Sequence, residues 1–231
     1  AIELFFEEYS TGSLIIGGDF LDGYSLNSYG QDDRDTSLKK ELAAGSVLLE
    51  YFSSIFDQVI IIDDNHISSR FKRKLDKEID KNLHFLIQHP YDYLVAPFGN
   101  VFRPTINTKD GNQITWFTLV GDAMIAHAET HGSTPLKAAS NLSTWVDNWS
   151  DRLGIRDISC IIQGHVHKLG KYHVPGKNRV LIESGCLVGP KGYEYAIKAD
   201  IKYKPPVNGC VFLIQKDGKT DLNKTRTIYL E

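Results

Sequence analysis

Cysteine is scarce in this sequence. The 231 residues hold three, Cys160, Cys186 and Cys210, far apart and odd in number. They build neither a disulfide framework nor a cysteine-type zinc knuckle. Each lies in an apolar stretch, which points to buried free thiols in a reducing compartment, the cytoplasm. One-signed charge is also lacking. The net charge is −3, so the chain has no electrostatic footprint for bulk binding to nucleic acid or to a membrane surface. No apolar run approaches the roughly 18 residues of a membrane span. No internal repeat, low-complexity stretch or domain boundary interrupts the sequence. What remains is an ordinary globular balance, 42% hydrophobic and 24% charged, in a chain long enough for one sizeable core.

Against that background one pattern recurs. Leu14-Ile15-Ile16 runs into Gly17-Gly18-Asp19, with Asp22 three residues on. This reads as a buried strand that delivers a carboxylate to the end of a sheet, where ligands collect in open α/β folds. Ile60-Ile61-Ile62 runs into Asp63-Asp64-Asn65-His66. Phe117–Val120 runs into Gly121-Asp122, followed by Met124-Ile125-Ala126-His127. Ile161-Ile162-Gln163 runs into Gly164-His165-Val166-His167. Four apolar runs thus end in aspartate, asparagine or histidine. Together these side chains suit a divalent transition metal such as Mn²⁺, Fe²⁺, Zn²⁺ or Ni²⁺, because imidazole disfavours a pure Mg²⁺ or Ca²⁺ site. A carboxylate can bridge two such metals, which together clamp a phosphoryl oxygen and generate a bound hydroxide.

The remaining elements follow from periodicity. Ile2–Tyr9 reads as the last turns of an amphipathic helix, and Tyr24–Asp35 as loop. Thr36 or Ser37 caps a long helix whose buried stripe is Leu38, Leu42, Val47, Leu48, Leu49, Tyr51 and Phe52. Gly45 weakens this helix without ending it. Arg70–Lys81 alternates in charge and reads as a solvated helix face. A basic rim of Arg70, Lys72, Arg73 and Lys74 beside an anionic substrate is the sharper alternative. Leu83–Gln88 continues helically to Pro90. Tyr91–Val95 and Ile114–Val120 read as strands, with a turn at residues 107–111. Ser133-Thr134-Pro135 opens a helix that buries Leu136, Ala139, Leu142, Trp145, Val146 and Trp149 and ends at Gly154. Beyond Gly170, short β-like runs between Pro and Gly turns predict an antiparallel sheet. The expected architecture is α/β: a two-sheet mixed β-sandwich flanked by helices.

The ordered set Gly-Asp-x-x-Asp (18–22), Asn-His (65–66), Gly-Asp-x-x-x-x-His (121–127) and Gly-His-x-His (164–167) resembles the calcineurin-like metallophosphoesterase superfamily, in its compact bacterial and phage form. The later Glu183-Ser184-Gly185-Cys186-Leu187 falls where that family places a strand and turn. The resemblance implies one metallophosphoesterase-like domain over residues 1–231. It implies that Asp19 bridges two metals, that Asn65, His127 and His165 complete one site, and that His167 belongs to the other. His66 would act on the leaving-group oxygen as general acid or electrostatic stabiliser. Asp22 and Asp64 would stand behind the ligands. Two departures matter. Asp64 replaces the family's glycine before Asn-His, and Ile67 replaces the following acid, so His66 needs another orienting group, with Asp63 and Asp64 as the candidates. The family's first strand, bearing Asp-x-His, has no counterpart before Asp19. The expectation is therefore a chain that lacks that strand, with one complete metal site and a weaker second. The implied activity is hydrolysis of a phosphodiester or phosphomonoester, whether small molecule, nucleotide or short nucleic acid, by a metal-bound hydroxide. The alternative is a catalytically weak or inactive scaffold of the same fold that binds a protein partner. Metal identity, oligomeric state and the exact substrate stay open at this point.

Overall fold

Ser13–Ile16 (β1), Gln58–Ile61 (β2) and Val101–Phe102 (β3) form a parallel three-stranded sheet in the order β1-β2-β3. Its central strand is apolar at three consecutive positions, all buried, as a strand covered on both faces requires. This computed structural model describes residues 12–26, 37–130, 134–155, 157–188 and 206–230. The helix expected at Ile2–Tyr9, and most of the loop expected at Tyr24–Asp35, lie outside them. The described chain is a mixed α/β protein with several sheets and four α-helices. It divides into an N-terminal unit, Ala1–Thr105, and a C-terminal unit, Ile106–Glu231.

In the N-terminal unit, α1 (Leu38–Ile55) starts at Ser37, whose hydroxyl accepts from the Lys40 backbone N–H. Its buried face differs from the expected stripe. Gly45 and Leu49 are buried, and Leu38, Leu42 and Phe52 pack partly on the core. Val47, Leu48 and Tyr51 are exposed. At 100° per residue, positions 38, 42, 45, 49 and 52 share one face, and 47, 48 and 51 are turned away from it. Gly45 belongs to the packing: a Cβ there would lie 2.9 Å from Leu21 Cδ2 and 3.3 Å from Phe20 Cε1. The helix therefore approaches the loop after β1 closely because position 45 has no side chain. One π-helical turn, Asn65–Ser69, runs into α2 (Arg70–Glu78), which buries no residue, as a solvated helix face should. Residues 81–86 form 3₁₀ turns.

Tyr91–Val95 is not a strand. It lies within a short helix, α3 (Pro90–Val95), with Pro90 at the first position and the His89 ring accepting from the Tyr91 N–H. The Pro-led start outweighs the β propensity of Tyr and Val. The core of this unit gathers Leu21, Leu49, Val59, Ile61, Ile67, Tyr91 and Leu94.

The C-terminal unit begins with a hairpin, Ile106–Asn107 (β4) with Gln113–Ile114 (β5), around the expected turn. Its main sheet contains Phe117–Val120 (β6), Ala123–Ala126 (β7), Cys160–Gln163 (β8), Leu169–His173 (β9) and Val180–Ser184 (β10), ordered β6-β7-β8-β10-β9. β7, β8 and β10 run parallel, and β6 and β9 are antiparallel edges. The stretch beyond Gly170 is thus not simply an antiparallel sheet. β10 joins the parallel core, and its run Val180-Leu181-Ile182-Glu183 is buried throughout. Gly209–Phe212 (β11) pairs with Arg226–Tyr229 (β14), and the hairpin Gln215–Lys216 (β12) with Lys219–Thr220 (β13) turns at Asp217-Gly218.

The helix α4 (Lys137–Leu153) begins two residues after Pro135, not on it. Leu136 precedes it at φ 63°, and the start is capped from β10. The buried Glu183 carboxylate accepts from the Leu136 N–H at 2.9 Å and the Ala138 N–H at 3.3 Å. A carboxylate at a helix N-terminus satisfies orphan donors and favours the dipole. Ala139, Leu142 and Val146 are buried as expected, with Trp145 partly so. Trp149 is exposed, and the Arg152 guanidinium lies 5.1 Å from its ring centroid. All three cysteines are free. Cys160 is buried in the central strand β8, and burial pushes its thiol up to about 12. Cys186 and Cys210 are only half-buried.

Candidate metal and catalytic site

In the N-terminal unit, the expected site residues lie at the carboxyl ends of β1 and β2. Gly17 and Gly18 follow β1, and Asp19 then takes a left-handed backbone, φ 52°. Its side chain is 13% exposed. Asp64, two residues beyond the buried Ile62, fixes this loop. Its Oδ2 accepts from the Asp19 N–H at 2.9 Å, its Oδ1 accepts from the Ile67 N–H at 2.7 Å, and the Tyr91 hydroxyl donates to it. Burial first, and the charge of Asp64 second, raise the Tyr91 phenol well above its ordinary value, so it stays a donor.

Asp63 does other work. Both its oxygens accept from Arg103 at 2.6 Å, and Arg103 also donates to Asp92 at 2.8 Å. These bonds hold Asp63 and Asp64. Asp22, not one of the two expected candidates, stands against the His66 ring. His66 Nδ1 lies 3.1 Å from the Asp22 carbonyl and 3.3 Å from its carboxylate, and Nε2 is 4.0 Å from Asp19 Oδ1. Arg70 donates to the same carbonyl at 2.7 Å, so one member of the basic run turns to the site loop. Lys72, Arg73 and Lys74 stay exposed. Burial disfavours the imidazolium of His66, but the bond to Asp22 and the charge of Asp19 outweigh it and leave the pKa raised. Asn65 sits directly before His66, half-buried, at the start of the π turn.

In the C-terminal unit, β7 and β8 are parallel neighbours with Ala126 opposite Gln163. Their next residues leave adjacent strand ends, and the Gly164 N–H donates to the Ala126 carbonyl at 2.9 Å. This places His127 and His165 together, ring centroids 5.0 Å apart at 78°. His127 is buried, and its N–H donates to the Trp116 carbonyl at 2.8 Å. His165 and His167 are both left-handed, φ 64° and 53°. The His167 carbonyl accepts from Val207. Asp122 does not share this end of the sheet. It occupies the β6–β7 turn, at the opposite end of β7 from His127, and accepts from the Thr220 N–H and hydroxyl at 2.8 and 2.6 Å.

Several positioning residues escaped sequence reasoning. Glu41 on α1 accepts from the Gly23 and Tyr24 N–H groups at 2.7 and 3.0 Å and ties down the loop carrying Asp22. Glu183 and Gln163 are buried polar residues at the ends of otherwise apolar strands. That oddity, a Gln after Ile-Ile and a Glu after Val-Leu-Ile, is the signal that marks them.

Neither a family model nor a curated protein matches the chain. Solved structures do. The chain is similar to Vps29 proteins. A single mutant of Vps29 from Entamoeba histolytica aligns at 14% identity over 95% of this chain and 99% of that one, with a TM-score of 0.37. The wild-type protein complexed with Zn²⁺ aligns at 14% identity over 94% and 98%, with a TM-score of 0.36. Vacuolar protein sorting 29 from Cryptosporidium parvum aligns at 17% identity over 94% and 96%, with a TM-score of 0.34. Among the described residues, no helix is long and apolar enough to cross a membrane.

Proposed function

We propose that this chain is a metal-dependent phosphoesterase of the cytoplasm that acts on a phosphodiester or a small phosphorylated metabolite. The supporting observation is that Asp19, His165 and His167, each in a loop beyond a parallel strand, all hold left-handed backbones. Each costs a non-glycine residue roughly 1–2 kcal/mol, and such strain concentrates at functional sites. The donor set fits a transition metal: paired imidazoles at adjoining strand ends, with a carboxylate and an amide as further donors and no thiolate. Asp19, Asn65, His127 and His165 hold one metal, Mn²⁺, Fe²⁺, Zn²⁺ or Ni²⁺, and His167 contributes to a second. Bound there, the metal supplies Lewis acidity toward a phosphoryl oxygen and activates water. His66 holds a proton toward the leaving-group oxygen, and Asp22 fixes its ring.

Elemental analysis and turnover of aryl phosphates test this reading. Asp19→Asn loses metal and activity together; unchanged stoichiometry removes the ligand assignment. His66→Ala keeps its metal but lowers kcat by about 10²–10⁴, the usual range for a lost general acid. Metal loss in that variant makes His66 a ligand instead.

A second reading, a non-catalytic scaffold, is favoured by one surface. Leu83, Phe85, Leu86 and Ile87 are 49%, 81%, 65% and 41% exposed, more apolar surface in one stretch than scattered exposure explains. The charged stretch before it mixes exposed Lys72, Arg73, Lys77 and Lys81 with exposed Asp76, Glu78 and Asp80, so the match is apolar. The matching partner is an amphipathic helix. A synthetic helix with leucines on one face should bind, and Phe85→Asp should weaken binding at least tenfold. Equal binding to that variant rules out this surface.

A further inference from the structure

Gln163 ends β8 with its side chain fully buried, after Cys160, Ile161 and Ile162. A primary amide there costs a few kcal/mol unless its hydrogen bonds are made. Its Nε2 makes two. One N–H donates to the Ala128 carbonyl at 2.7 Å, and the other reaches the Gly164 carbonyl at 3.2 Å. Ala128 directly follows His127, and Gly164 directly precedes His165. One amide group therefore ties together the two turns that carry the paired imidazoles. The backbone bond from Gly164 to Ala126 holds the strand ends in register, but it lies before both histidines. The Gln163 amide adds a second link, from the carbonyl that follows His127 to the carbonyl that precedes His165.

We propose that Gln163 is a positioning residue that sets the separation and angle of the His127 and His165 rings. The physical case is one of geometry. His165 sits on a left-handed backbone, a conformation that persists only where its surroundings over-determine it. The carbonyl just before it accepts from Gln163 as well as from the Val166 N–H. The Ala128 carbonyl likewise accepts from the Thr130 N–H within its own turn. A leucine or methionine at 163 would fill the same space at lower desolvation cost and leave those two local bonds in place, but the amide link between the two turns would be gone. Ligand arrays depend on such outer supports, and their loss typically weakens metal binding 10–100-fold. This inference rests on the metal reading above for its functional meaning. The clamp itself is a property of the metal-free protein.

The test uses Gln163→Met, which keeps length and packing but has no N–H. In metal-free protein, long-range ¹H–¹⁵N correlations report each imidazole. The expected result is that the His127 and His165 signals move, and those of His66, His84 and His89 stay in place. Co²⁺ titration, followed by its visible absorption, should weaken at least tenfold with an altered band shape. If only the melting temperature falls, with both imidazole signals and the Co²⁺ spectrum unchanged, Gln163 is merely structural and the proposal is overturned. If wild-type protein takes up no Co²⁺, the metal reading fails, and the imidazole signals alone then decide the clamp. Should the Met variant not fold, Gln163→Asn serves. Its amide is too short to reach both carbonyls, and the same signals should move.

Discussion

Asp64 and Asp22 are both carboxylates near His66, and their roles are opposite. Asp64 is 4% exposed and accepts from three groups, the Asp19 and Ile67 N–H groups and the Tyr91 hydroxyl. Asp22 is 59% exposed at its side chain and braces one ring. Removing a buried acceptor strands its donors, which is costlier than losing an exposed contact. Asp64→Ala should therefore destabilise the protein by at least about 2 kcal/mol, since each stranded buried donor costs roughly 1–3 kcal/mol. Asp22→Ala should cost no more than about 1 kcal/mol while lowering turnover through a loosened His66. Urea unfolding of both variants, beside kcat, separates the two. Equal stability losses would show that Asp64 is not the anchor of this loop. None of these pairings could be read from the sequence. The Asp64–Asp19 bond spans 45 residues and the Gln163–Ala128 bond 35, and although a polar residue at the end of an apolar run marks Gln163, nothing local names the partner in either pair.

Elements whose signals are local were legible. The strand ends at Asp19 and His165 follow from an apolar run stopped by a polar residue, and β1, β2, β6 and β8 lie where those runs predict. The errors came from weighing composition above position. Counting every apolar residue of α1 as buried ignored its 100° step. Reading Tyr91–Val95 by β propensity ignored His89-Pro90 as a helix start. The β6–β7 turn shows a third case, where an apparent ligand motif is packing. Gly121 takes φ 55°, and a Cβ there would sit 2.3 Å from the Gly218 carbonyl oxygen. The Asp122 N–H donates to that same carbonyl at 2.9 Å, so two turns dock backbone to backbone. Gly121→Ala should cost at least about 2 kcal/mol, from the left-handed conformation plus the clash. Thermal unfolding measures it. A neutral result would show that the β12–β13 hairpin moves freely away.

For the whole molecule, the mixed α/β class was legible because the helical and strand periods alternate along the chain. Its response to acid follows from carboxylates committed to donors. Burial alone would raise the pKa of Asp122, but the Thr220 bonds outweigh it and leave it lowered. Asp147 is lowered likewise, burial being outweighed by Lys177 and Arg179. A depressed folded-state pKa contributes stability that is fully present above the ordinary carboxylate value and is lost as pH falls through the folded one. Stability should thus decline from about pH 4 downward, and Asp122→Asn should flatten that decline. Denaturant midpoints measured from pH 6 to pH 2.5 read it directly, and an unaltered slope in the variant would assign the acid limb to other groups.

The Cys160 thiol, buried in the central strand of the C-terminal sheet, also sets a clock. Only a thiolate reacts quickly with an alkylating reagent, and a thiol pushed up to about 12 stays protonated and shielded through any ordinary labelling reaction. Modification of Cys160 must then wait for β8 to open. Mass-resolved alkylation over hours, in plain buffer without denaturant, would count those openings one molecule at a time.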